Sequence, residues 1–194
     1  MIVINFNKPE FEYDVHSLVK AFFPKEDVEM FYTCSKEEVE GKNLACTHRE
    51  LEHESEEDRN RLENAEHVFY VDYLEHADTM SSRNTSKISI KWIQNGNKIF
   101  ARDFTVDASN RIQTKNTLKK NLYELLKEGV GCELPWGTLT GIRPTKIPMK
   151  LMEEGHSDEE IASYMKETYF ATDEKIQLSI DIAKWEKALL SQSD

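Results

Sequence analysis

The first third of the chain changes its apolar rhythm twice. Ile2–Phe6 is a short, nearly continuous apolar run, and after it Phe11, Val15, Leu18, Val19 and Phe22 recur at helical spacing until Pro24. This predicts a strand followed by an amphipathic helix. Residues 28–34, with Phe31 and Tyr32, predict the next strand. Residues 35–66 carry few apolar side chains and predict a long solvated loop, in part a surface helix, with room for an extra strand at 43–47. Residues 68–74 (VFYVDYL) and 86–93 are rich in β-branched and aromatic types, and 98–106 follows an Asn95-Gly96 pair, so three further strands are expected, the last two joined as a hairpin.

Side-chain parity selects the hairpin. A two-residue Asn95-Gly96 turn would put Phe100 and Phe104 on the face opposite Ile88, Ile90 and Trp92. A three-residue loop, Gln94-Asn95-Gly96 with Gly96 left-handed as a bulge, brings all five to one apolar face and is the preferred reading.

Leu118, Leu122, Leu125 and Leu126 predict a helix over about 117–128, closed near Gly129 or Gly131. From Pro144 onward every signal is helical. Ser157 and Glu160 form an S-x-x-E capping box, and Thr172 is placed to cap a helix with Ile176, Ile180 and Ala183 on one stripe. Three helices are expected there. The first, after Pro144, starts no earlier than Thr145, because Pro148 lacks an N–H and fits only the first turn. The order of elements predicts an α+β fold, a mostly antiparallel sheet with helices on one face, followed by a small all-helical C-terminal segment. The expected divisions are an α+β domain at 1–133, an ordered connecting loop at 134–146 and a helical segment at 147–194.

Composition narrows the function classes. With 194 residues, 39% hydrophobic and 31% charged, 7 Gly and 5 Pro, the chain suits one ordinary domain, or one with a small appendix. No apolar run approaches the roughly 20 residues that a membrane helix needs, and the N-terminus lacks a basic signal-peptide region. A cytoplasmic location is expected. Cys34, Cys46 and Cys132 match neither a disulfide scaffold nor a metal cassette and are expected to be free thiols, Cys132 buried or inert. The histidine pairs His48/His53 and His67/His76 lack metal-site spacing and are expected to be solvated surface residues. No nucleotide-binding or nucleophile-elbow motif occurs.

The net charge of −11 argues against a phosphate-backbone binder. It is unevenly spread: residues 35–66 hold eleven acidic and five basic side chains, whereas 107–150 hold eight basic and four acidic. An anion-facing surface would lie in that second stretch. Within it, LPWGTLTGIRPTK (134–146) concentrates two Gly, two Pro, three Thr and a Trp beside Arg143 and Lys146. Gly137 and Gly141 permit close backbone approach or positive φ, and amides at the following helix start, flanked by the two cations, suit an anion. The candidate anion- or partner-binding residues are Arg143, Lys146, Thr138, Thr140 and Gly141. The same composition also suits a loop that packs Trp136 and Ile142 and joins two blocks, with Arg143 holding carbonyls or acidic side chains of its own domain.

The run WGTLTGIRPTK, then EEGHSDEEIASYMKETY and DEKIQLSIDIAKWE, resembles the region just upstream of the radical SAM core in oxygen-independent coproporphyrinogen III oxidase-like (coproporphyrinogen dehydrogenase) proteins. The resemblance covers about 136–186; upstream only the order of elements is similar. It implies a parent protein with S-adenosylmethionine and a [4Fe–4S] cluster, a role in porphyrin biosynthesis, and an anionic tetrapyrrole as substrate. The chain departs from that family in lacking the C-x3-C-x2-C thiolates that hold the cluster. What the resemblance implies for this segment is a non-catalytic accessory domain without a cofactor of its own, packing on the radical SAM core of the same polypeptide. The alternative is a nucleic-acid-binding or regulatory module, since LMEEGHSDEEIASYM within 145–170 resembles two helices of a helix-turn-helix. Its acidic side chains would face phosphates with the wrong sign.

Overall fold

Strand β1 (Ile2–Phe6) is buried at all five positions, Asn5 included, as its nearly continuous apolar run requires of a strand flanked and covered on every side. A computed structural model of the chain describes residues 1–32, 56–75 and 85–190. It divides the chain into two units, Met1–Gly131 and Cys132–Asp194. In the first unit, β2 (Val28–Tyr32), β3 (His67–Glu75), β4 (Thr85–Gln94) and β5 (Lys98–Asp107) join β1 in one sheet, ordered β2-β1-β3-β4-β5. β1 pairs in parallel with β2 and β3 over five residues each, while the antiparallel ladders β3–β4 and β4–β5 run nine and ten pairs. The sheet is therefore mostly antiparallel by length, and the fold is α+β.

Three helices belong to this unit: α1 (Glu12–Phe22), α2 (Glu56–Asn64) and α3 (Arg111–Val130). α1 and α3 meet through Phe22 and Tyr123, whose rings lie 5.5 Å apart. α3 crosses the sheet over Trp92, and the approach is so close that a Cβ on Gly129 would fall 2.1 Å from the indole. Trp92 is fully buried, stacked between Phe69 at 5.2 Å and Phe100 at 4.9 Å. On the other side of the sheet, Val3, Phe31 and Val68 form a small apolar cluster that Leu62 and Ala65, at the end of α2, cover. α2 is the surface helix expected within the acidic stretch, and it adds cover on a second face. The extra strand expected at 43–47 lies outside the described residues.

Two details of the first unit correct the sequence reading. The hairpin loop is Asn95-Gly96-Asn97, since Gln94 pairs with Lys98, and both Asn95 and Gly96 hold positive φ (50° and 71°). Parity is kept, but the strands are offset by two residues from a Gln94-Asn95-Gly96 loop. The offset sets Trp92 directly opposite Phe100 and Ile88 opposite Phe104, the largest apolar pairs available. α3 begins at Arg111 rather than near Thr117, because Asn110 caps it by accepting from the Gln113 amide at 3.1 Å. Its first turns carry few apolar residues and left no periodic signal; its end at a left-handed Gly131 matches expectation.

The second unit holds α4 (Lys146–Glu153), α5 (Asp158–Tyr169) and α6 (Asp173–Leu190), packed around Leu139, Ile161, Met165, Ala171, Ile176 and Ile180. The Ser157/Glu160 capping box is formed in both directions. The Thr172 hydroxyl instead donates to the Pro135 carbonyl at 3.3 Å. Among the described residues no helix is long and apolar enough to cross a membrane.

Candidate functional site

The segment between Leu134 and Lys146 is an ordered loop tied to the α5–α6 junction by backbone bonds. Gly137 takes φ 55°, which lets the Thr138 amide donate to the Tyr169 carbonyl at 2.7 Å. A Cβ on Gly137 would sit 1.9 Å from that same oxygen, so only glycine fits. The Pro135 carbonyl accepts from the Thr172 amide at 3.0 Å, which stitches the loop to the start of α6. Leu139 then drops into the helical core.

The five sequence-picked residues divide by exposure. Thr138 is buried, with its hydroxyl 3.4 Å from the Tyr169 oxygen, and serves the stitch. Thr140 is half-buried, and Gly141 is exposed at φ 71°. Arg143 and Lys146 are exposed on the short turn into α4. Arg143 Nη2 donates to Glu186 Oε1 of α6, an ion pair in which the Arg143 side chain stays 57% exposed. Sequence reasoning missed Glu186, which lies 43 positions away with no spacing to mark it. The Lys146 ammonium has no ion-pair partner among the described residues.

The start of α4 spends its own amides. Lys146 N donates to Arg143 O and Ile147 N to Pro144 O, each at 3.2 Å, and Pro148 has no N–H to offer. Any anion here would therefore meet side chains more than backbone. Thr145 precedes the helix as expected, yet it caps nothing: its dihedrals are helical (φ −65°, ψ −18°), and its buried hydroxyl has no partner.

Thiol and imidazole placements differ from expectation in two cases. Cys132 is exposed rather than buried. His67 is buried rather than solvated, its Nδ1 accepting from Trp92 Nε1 at 3.3 Å, and burial pulls its pKa below the usual imidazole range. His67 lies on the face of β3 that carries Trp92, and its pairing with Gln94 at the hairpin end of the β3–β4 ladder is a tertiary fact that no spacing to His76 could reveal. Cys34, Cys46, His48, His53 and His76 lie outside the described residues. Among the described residues no three His, Cys, Asp or Glu side chains gather at metal-site distances. The three thiols do not fit an iron–sulfur cluster, since their spacing in the chain lacks the C-x3-C-x2-C donor set.

The first unit has a cavity of about 500 Å³ at the C-terminal ends of β1 and β3, with Lys8, Glu10, Phe11, Tyr73, Arg111 and Thr114 among its lining. The Tyr73 hydroxyl donates to the Glu10 carbonyl at 2.8 Å, and burial raises its pKa. Arg111 lies over the Phe11 ring at 4.6 Å. Its walls come from separate elements, so no local motif announces it.

No family model matches the chain. Over 85 residues it is 39% identical to the oxygen-independent coproporphyrinogen-III oxidase-like protein HemZ of Bacillus subtilis (strain 168). This chain is similar to a coproporphyrinogen-III oxidase-like protein. The matched stretch is 44% of this chain and 17% of that relative, so the chain spans under a fifth of the relative's length.

Proposed function

We propose that this chain is an accessory region of a coproporphyrinogen dehydrogenase-like radical SAM oxidoreductase acting in porphyrin biosynthesis in the cytoplasm. It is non-catalytic alone and packs on the radical SAM core, which holds S-adenosylmethionine and the [4Fe–4S] cluster. The observation that carries this reading is the 39% identity over 85 residues to a coproporphyrinogen-III oxidase-like protein. The thiolate spacing supports the non-catalytic part, because a cluster needs three converging cysteines that this sequence does not space for it.

Arg143 and Lys146 are the residues offered to the substrate. A tetrapyrrole with propionate arms is a polyanion and calls for fixed cations; an exposed guanidinium offers a bidentate fork and an exposed ammonium a point charge. Glu186 orients the guanidinium and leaves more than half of the side chain exposed. In a full-length protein, Arg143→Ala is expected to raise the KM for coproporphyrinogen about tenfold with a nearly unchanged melting temperature, since one charge-assisted contact is worth about 1.4 kcal/mol or more. A large drop in melting temperature at constant KM would make Arg143 a structural anchor of the loop to α6.

A further inference from the structure

α6 is apolar on two opposite sides. Ile176, Ile180 and Ala183, spaced four and three apart, are buried against the rest of the helical unit. Leu178, Ile182 and Trp185 have the same spacing and, at 3.6 residues per turn, lie about 160° around the helix from the first stripe. That second stripe faces largely outward: Leu178 is 43% and Trp185 72% exposed with Ile182 half-buried between them, and Leu189 continues it at 66%. A solvated helix needs one apolar face; a second one marks a layer still to be added.

From this two-sided helix we infer that the outer stripe of α6, centred on Trp185, is the surface on which the larger remainder of a coproporphyrinogen-III oxidase-like protein packs. The inference rests on the accessory-region reading and names its contact. Two observations select this occupant. The 85 shared residues are 17% of the relative, which is therefore about six times as long, so a large body of protein accompanies the matched region there. The borders of the stripe are polar and carry both signs: Glu174 and Asp181 run along one side, and Lys175 and Glu186 stand at the other, with Lys175 paired to Glu174 and Arg143 to Glu186. An exposed Trp in an apolar centre with a charged rim has the make-up of a protein interface. A second copy of this chain would bring together two molecules of net charge −11. The inferred partner surface is an apolar groove with a polar rim of both signs, and Arg143 would sit at the edge of the contact.

The test titrates the 194-residue chain with the part of the Bacillus subtilis relative outside the matched region, produced separately, and reads binding calorimetrically. Binding that weakens at least about tenfold in Trp185→Ala and in Leu178→Ala, but not in Ile112→Ser, which alters an equally exposed apolar residue of the other unit, is the expected result. Both stripe positions are solvent-facing, so an unchanged melting temperature checks that the variants fold. Binding that neither stripe variant weakens would overturn this surface and leave the accessory-region reading standing. No binding at all would overturn that reading and the inference with it. Self-association of the chain in sedimentation, abolished by Trp185→Ala, would assign the stripe to a second copy and overturn the inference.

Discussion

His67 lies beneath Trp92 and beside Phe23, whose ring centre is 4.7 Å from its own, and the cost of charging it there decides its behaviour. Above the ordinary value of 6.5 the imidazole is neutral in both folded and unfolded chains and adds no pH dependence. As pH falls below 6.5 the unfolded chain takes up a proton that the folded chain resists, so stability declines until the lowered folded pKa is passed. His16 is shifted in the same direction, by burial and by Lys20. Urea unfolding between pH 7.5 and 5 should therefore show a loss of up to about 1.4 kcal/mol per pH unit for each such histidine. His67→Gln should reduce that slope without abolishing it. At the same scale, Gly137→Ala should destabilise the helical unit by about 2–4 kcal/mol, because a positive φ and a backbone collision coincide there. A melting temperature within a degree or two of the wild type would show that the Tyr169 contact yields.

Among the elements, α4 and α5 begin by opposite means, and substitutions should tell them apart. Ser157 accepts from the Glu160 amide at 3.2 Å while Glu160 reaches back to the Ser157 amide at 2.8 Å. Ser157→Ala should cost about 1 kcal/mol, measured by chemical denaturation. Thr145 occupies the corresponding position of α4 but buries a hydroxyl that bonds to nothing. Thr145→Val keeps the shape and removes that polar atom, so it should be neutral or stabilising by about 1 kcal/mol. A loss of 1 kcal/mol or more would reveal a bond to the hydroxyl in solution. The capping box was legible because both of its partners fall within four consecutive residues. The idle cap was not, because whether a threonine turns toward its own helix or into the core depends on what lies on the other side.

At the scale of the whole molecule the prediction concerns iron. Three or four thiolates must converge to hold a cubane, and Cys34, Cys46 and Cys132 are separated by 12 and 86 positions. Anaerobic reconstitution with iron and sulfide should leave the isolated chain without a stoichiometric chromophore near about 400 nm, a region where thiolate-bound clusters absorb. A stable brown product with one cubane per chain would refute the accessory role, since the chain would then carry its own redox centre.

Periodicity along the chain determined where strands and most helices lie, since alternation and 3.6-residue spacing record which side of each element is covered. It placed β1, α1, the three C-terminal helices and the apolar face of the hairpin, and residue type alone singled out the glycine-bearing loop with Arg143 and Lys146. Partners distant in sequence were decided by the tertiary structure alone. The two-residue offset that opposes Trp92 to Phe100, the burial of His67, the seat of Gly129 against the indole and the Glu186 carboxylate on Arg143 all join positions whose meeting no local pattern encodes. A register shift of two residues preserves every face, so the sequence pattern is equally satisfied by either register; close packing of the largest side chains breaks the tie.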